Sequence, residues 1–145
     1  MIDAALVGRK ALLITRDLAD LAPLAEKDLT EYLTDPRDEL VAERLLERIV
    51  GRMIDVNYHL LIETDHPPPA DYYASFTQLT ALGVYDMEFG RRIAACTGLR
   101  NRIVHEYDEV DPNKVHEALS TAIQQVPAYL RAVEAFVQKV SRQGD

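Results

Sequence analysis

The stretch DPNKVHEALSTAIQQVPAYLRAVEAFVQKVS, residues 111–141, decides the fold class through the spacing of its apolar positions. Val115, Leu119, Ala122, Val126, Tyr129, Val133, Phe136 and Val140 recur at alternating steps of four and three. A helix turns about 100° per residue, so these positions form one stripe, the pattern of an apolar seam in a helical bundle. The stretch opens on Asp111-Pro112. An acid before proline is a helix start: the carboxylate accepts from free backbone N–H groups, and proline at the first helical position has no N–H to leave unsatisfied. Pro127 is expected to bend this helix.

Working outward, Asp35-Pro36 repeats the start signal. The helix behind it carries Val41, Leu45, Leu46, Ile49, Met53, Val56, Leu60 and Leu61 and is expected to end near Thr64. His66-Pro67-Pro68-Pro69 then forms a stiff, non-helical loop. From Asp3 to Tyr32, positions 7, 11, 14, 18, 21, 25, 28 and 32 keep the same spacing, with only Asp28 breaking the apolar series, and Pro23 is expected to kink or split that helix. A shorter helix is predicted over Tyr72–Leu82 with Gly83 as its C-cap. Asp86 can cap the next, which carries Met87, Phe89, Ile93, Ala94 and Leu99 towards His105. Gly98 lies inside it at a cost of about 1 kcal/mol, which suggests that another backbone packs closely there. No segment alternates with period two long enough for a strand. The expectation is an all-α bundle of about five helices in one domain over residues 1–145.

Composition agrees. Of 145 residues, 48% are hydrophobic and 28% charged, enough for one core and too ordered a mixture for a disordered chain. The single cysteine, Cys96, rules out an intramolecular disulfide and a cysteine-based zinc site within one chain; among Ile93, Ala94 and Ala95 it reads as a buried structural thiol. The N-terminal segment does not look like a signal peptide and no apolar run approaches membrane-spanning length, so a soluble cytoplasmic protein without membrane association is expected.

Net charge is −8, which argues against a broad nucleic-acid-binding surface but leaves room for a small basic site. One window supplies it: from Arg91 to His105 there are four arginines, Arg91, Arg92, Arg100 and Arg102, and no acid. A second stripe, Arg44, Arg48 and Arg52, lies at i, i+4, i+8 on one helical face; Glu43 and Glu47 flank it, and ordinary salt bridging accounts for it.

Within the first window, Arg100-Asn101-Arg102-Ile103-Val104-His105-Glu106-Tyr107 carries chemistry. If the helix continues, Arg100 and Tyr107 lie on nearly one face, and Asn101, four residues before His105, can touch and orient it. RNA can be cut without metal by its own 2′-hydroxyl, given a proton acceptor and a donor near neutrality and positive charge on the developing phosphorane. Histidine is the side chain whose ordinary titration range suits the first two tasks. Arginine offers phosphate a permanently charged, bidentate fork. Arg100 and His105 are the catalytic candidates, and Asn101 and Arg102 supporting or RNA-binding ones. The same triplet also suits a plain helix end with a capping histidine. His59, His66 and His116 have no convincing metal-ligand spacing and read as structural or exposed; no metal or cofactor is expected.

The octapeptide resembles the Arg, four to six residues, His, any residue, Tyr motif of the HEPN superfamily, and the chain is similar to its HepT toxins. Glu43–Leu46 through Ile54–Asn57, the set Pro69, Ala70, Tyr73, Phe76, Leu79 and Gly83, and Leu99–Arg102 with His105–Asp108 extend the likeness over about residues 40–120. The resemblance implies a homodimeric HEPN-like bundle, a metal-independent ribonuclease with Arg100 and His105 catalytic, and a toxin of a type VII-like HepT/MntA pair. Its antitoxin partner would be a minimal nucleotidyltransferase that AMPylates the motif tyrosine, here Tyr107. HEPN domains also serve as non-catalytic nucleotide- or RNA-binding partners of nucleotidyltransferases, and a helical scaffold built on the Val115–Val140 seam is a third reading.

Overall fold

The computed structural model describes residues 1–143, and every regular element in them is helical. In chain order these are α1 (Ala4–Glu26), α2 (Leu29–Thr34), α3 (Pro36–Glu63), α4 (Tyr72–Thr77) with a following 3-10 turn (Gln78–Thr80), α5 (Met87–Ala94), α6 (Cys96–His105), a 3-10 turn (Tyr107–Glu109) and α7 (Pro112–Gln143). The long helices α1, α3 and α7 pack on one another, α4 packs on α5, and α6 lies chiefly against α3.

Aspartates punctuate the chain. The carboxylates of Asp3, Asp28, Asp35, Asp71, Asp86 and Asp111 each accept a hydrogen bond from a backbone N–H two or three residues on, which satisfies donors the helix itself leaves free. Asp28 is the one break in the apolar series of the first segment for this reason: it starts α2. The split therefore falls at Lys27–Asp28 rather than at Pro23, and α1 runs through Pro23. Proline removes one donor there, and that donor would have met the carbonyl of Ala19 on the exposed face. Likewise α7 is one continuous helix through Pro127.

Two helix exits use left-handed residues. Gly83, with φ 81°, closes the Tyr72–Leu82 region: Val84 N–H bonds the Leu79 carbonyl at 3.2 Å and Gly83 N–H that of Thr80 at 3.1 Å. Asp65, with φ 62°, does the same after α3 through His66 N–H to Leu61 and Asp65 N–H to Ile62. The chain then enters the proline loop.

The seam of α7 is buried at Val115, Leu119, Val126, Tyr129 and Val133, with Ala122 partly buried; beyond it Val137 is buried and Phe136 only partly so. A 3.6-residue helix drifts against a strict seven-residue repeat, and the switch is that drift. Val41, expected on the apolar face of α3, is exposed; Ala42 is the buried residue there. The expected helix from Asp86 to His105 is two helices, broken at Ala95, and Gly98 is exposed with nothing within 4 Å of where a side chain would begin. No backbone packs on it.

A buried polar chain crosses the core. Tyr129 on α7 donates to Asn57 Oδ1 on α3 at 2.5 Å, with the Met53 carbonyl also 3.1 Å away. Asn57 Nδ2 donates to Ser75 Oγ at 3.2 Å, and Ser75 Oγ to the Tyr72 carbonyl at 2.6 Å. The seam helix is thereby tied through α3 to the first turn of α4. Tyr129→Phe keeps the shape and removes the donor, leaving the fully buried Asn57 oxygen unsatisfied; a loss of about 1–3 kcal/mol is expected. A denaturant titration that gave the variant the wild-type midpoint would refute it.

Among the described residues, no helix is long and apolar enough to cross a membrane.

Candidate active site

α6 begins directly after Ala95 and ends at His105, and its placement follows from what it buries: Thr97 and Ile103 face the core, while Arg100 is half-buried and Asn101, Arg102 and His105 are exposed. The guanidinium carbon of Arg100 lies 5.2 Å from the centroid of the Tyr72 ring, within range for a cation–π contact. Its Nη1 donates to Asn101 Oδ1 at 3.3 Å, and its Nε is buried with no acceptor. Among the described residues no carboxylate pairs with it. Arg100 is therefore a cation set against an aromatic ring and without a paired carboxylate among the described residues.

The helix stops at His105 because Glu106 leaves helical geometry, with φ −131° and ψ 40°, while its N–H still caps the Arg102 carbonyl at 2.8 Å. Tyr107 thus stands outside the helix, in the short 3-10 turn that also holds Asp108 and Glu109. The expected placement of Arg100 and Tyr107 on one helical face does not hold, since the 100° step ends before Tyr107. Tyr107 is 72% exposed. Among the described residues no hydrogen bond joins Arg100, His105 and Tyr107 to one another. Asn101 bonds Arg100 rather than His105. Of the acids after the motif, Asp111 caps α7.

The second arginine stripe has different partners from those read in the sequence. Arg44 pairs with Glu47 at 3.3 Å as expected. Arg48 and Arg52 instead reach across to α1, where Asp17 takes Arg48 Nε at 3.1 Å and Arg52 Nη1 at 2.7 Å. Asp17 is 4% exposed, and a carboxylate so buried needs such partners. The signal was present: an acid three residues after Ile14 and four before Leu21 falls beside the buried stripe of α1. Tyr72 was missed as a site residue, because its contact with Arg100 joins segments far apart in the chain.

His59, His116 and Cys96 have structural surroundings. His59 Nε2 accepts from Asp3 N–H at 2.9 Å, and His116 Nε2 lies 2.7 Å from the Lys27 carbonyl with its ring against Tyr32. Cys96 packs on the core, and burial pushes its thiol up to about 12, so it is no ready nucleophile. Among the described residues no three His, Cys, Asp or Glu side chains group as metal ligands do.

Known proteins share this architecture. The chain is 33% identical over 144 residues to the tRNA nuclease HepT of Aphanizomenon flos-aquae, covering 99% of this chain and 98% of that one. The fold superposes with a TM-score of 0.81 on the tri-AMPylated Shewanella oneidensis HEPN toxin, solved in complex with MNT antitoxin, at 19% identity over 90% of this chain and 97% of that one. It superposes equally, with a TM-score of 0.81 at 14% identity, on the Bacillus subtilis cytosolic protein YutE, of unknown function, over 95% of this chain and 92% of that one. The bundle is HEPN-like. The family model described as ribonuclease HepT-like matches residues 14–136, from the middle of α1 to well along α7, and the chain belongs to that family.

Proposed function

We propose that this protein is a metal-independent endoribonuclease toxin, acting as a homodimer and paired with a minimal nucleotidyltransferase antitoxin of the MntA kind. The observation that carries the reading is the state of Arg100: a guanidinium beside the Tyr72 ring, with no carboxylate paired to it among the described residues, on the same short helix as an exposed imidazole. A cation held without a counter-ion is poised for an anionic ligand, and a phosphodiester supplies one.

In the reaction, His105 takes the proton of the ribose 2′-hydroxyl, and the 2′-oxygen attacks the adjacent phosphorus. Arg100 offsets the charge gathering on the non-bridging oxygens. The bond from phosphorus to the 5′-oxygen breaks, and that oxygen takes a proton from a protonated imidazole, for which the His105 of a second copy is the candidate. The products are a 2′,3′-cyclic phosphate and a free 5′-hydroxyl. Arg102, exposed one turn before the helix end, and Asn101, which holds Arg100, support the phosphate.

The relative described as a tRNA nuclease makes tRNA the first substrate to offer, with an mRNA fragment beside it. Incubation in excess EDTA is expected to give fragments bearing those end groups. Cleavage only on adding a divalent metal, with 5′-phosphate ends, would refute the mechanism; RNA bound but left intact would assign the protein to the non-catalytic HEPN partners.

A further inference from the structure

Arg100 faces a cleft that the motif does not explain. It lies between α1, α3, α4 and α6, has a volume of about 360 Å3, and is lined by Lys10, Arg44, Arg48, Arg52, Tyr72 and Arg100 together with the carboxylates of Glu47 and Asp55. Five cations meet two carboxylates on the wall, and buried Asp17 beneath takes one more charge, so 5 − 3 leaves the cleft at +2 in a chain of net −8. The cations are not equally engaged. Lys10 is held by Asp55 at 2.9 Å and Arg52 by Asp17 at 2.7 Å. Arg48 gives Asp17 only its Nε, and no protein acceptor among the described residues takes its terminal nitrogens; its side chain is 41% exposed. Arg44 is 65% exposed and held only by its neighbour Glu47. Tyr72, whose ring Tyr58 meets edge-on at 6.3 Å, remains 40% exposed beside them.

We propose that this cleft is a binding track for the RNA strand next to the scissile phosphate, with Arg44 and Arg48 as phosphate ligands and Tyr72 as both a stacking platform and the positioning residue for Arg100. The inference rests on the nuclease reading for its substrate class and extends it to residues outside the motif. Two guanidinium groups one turn apart on α3, Arg48 with its terminal nitrogens unengaged and Arg44 held only by an exposed intrahelical pair, suit successive backbone phosphates, and an exposed aromatic ring takes a base or ribose face whatever the sequence. Buried Asp17 contacts Arg48 at Nε and takes no hydrogen bond from its terminal nitrogens.

The test uses the full chain carrying His105→Ala, so that binding is read without turnover, and a fluorescent single-stranded RNA oligonucleotide titrated by anisotropy at several salt concentrations. Adding Arg44→Gln with Arg48→Gln is expected to weaken binding at least ten-fold and to lower the salt slope by about 1.4, at roughly 0.7 per single-strand phosphate contact. Arg48→Lys, which keeps the charge, should recover part of it. Tyr72→Ala should weaken binding about five-fold or more, where Tyr72→Phe does not. The equal charge change made on exposed α7 positions, Arg131→Gln with Arg142→Gln, should leave the slope unchanged. Circular dichroism on each variant reports folding. Wild-type affinity and slope in a folded Arg44/Arg48 variant would overturn the proposal, as would failure of the parent protein to bind RNA. If the parent binds through the cleft but protein with His105 intact does not cut, the track stands and the nuclease reading falls.

Discussion

His105→Ala is expected to lower RNA cleavage by about 10^3-fold while leaving the fold intact. General acid–base catalysis by a positioned side chain contributes roughly 10^2–10^4-fold, and here one residue type would serve both ends of the reaction across two copies, which places the loss in the upper part of that range. The side chain is exposed, makes no hydrogen bond among the described residues and ends its helix, so its removal creates no cavity. Arg100→Ala is expected to cost about 10^2–10^3, as loss of one preorganised charge donor does. Lysine should not restore it, since an ammonium lacks the planar fork and would not lie on Tyr72 in the same way. The double variant should be little worse than His105→Ala alone, because the groups act on one transition state. Single-turnover rates on labelled tRNA, with a denaturant midpoint for each variant, check all three. A His105→Ala protein that cuts at the wild-type rate would remove the imidazole from the mechanism.

The second large effect concerns Tyr107. Co-expression with the cognate nucleotidyltransferase is expected to add whole AMP units to this chain, all of them lost in Tyr107→Phe. In the transfer the phenol oxygen attacks the α-phosphate of ATP, pyrophosphate leaves, and the phenol proton passes to solvent or a base of the enzyme. Each unit adds a phosphodiester charge two residues beyond His105, where it would compete with substrate phosphate for the site. The modified toxin should lose nearly all cleavage, and Tyr107→Phe should stay active and escape neutralisation. Intact-mass spectrometry and peptide mapping decide it; full neutralisation with Tyr107 unmodified would point to inhibition by binding alone.

Much of the fold could be read from local rules. Asp35-Pro36 and Asp111-Pro112 start α3 and α7 where the start signal puts them, and the four-three stripe of α7 is its buried face. Local rules failed where a competing local rule was stronger or where the partner was distant. Pro23 looked like the break in the first helix, but an exposed proline removes a single bond, whereas Asp28 offers a new start and ends the old helix. The step at Ala95 had no cap to announce it. In the candidate site, the residue types and their spacing were legible, as was the basic window around them. The helical wheel misplaced Tyr107 because the last helical residue is set by Glu106, which carries no stop signal. Asp17, Arg48 and Arg52 meet only when α1 lies on α3, and Tyr72 meets Arg100 only when α4 lies near α6; no window along the chain contains both members of either contact.

The exit of the chain from helical geometry at Glu106 has a consequence for timing. A tyrosine within a helix presents its phenol along a constrained wall, and a bulky charge added there strains the turn that carries it. Tyr107 instead stands in a short turn beyond the last helical bond and is largely exposed. Adding or removing nucleotide there leaves the core untouched, so the modified and unmodified chains should be equally resistant to proteolysis and equally long-lived. Modification of Tyr107 by the proposed antitoxin would then act on finished protein, after folding, and need not race against synthesis.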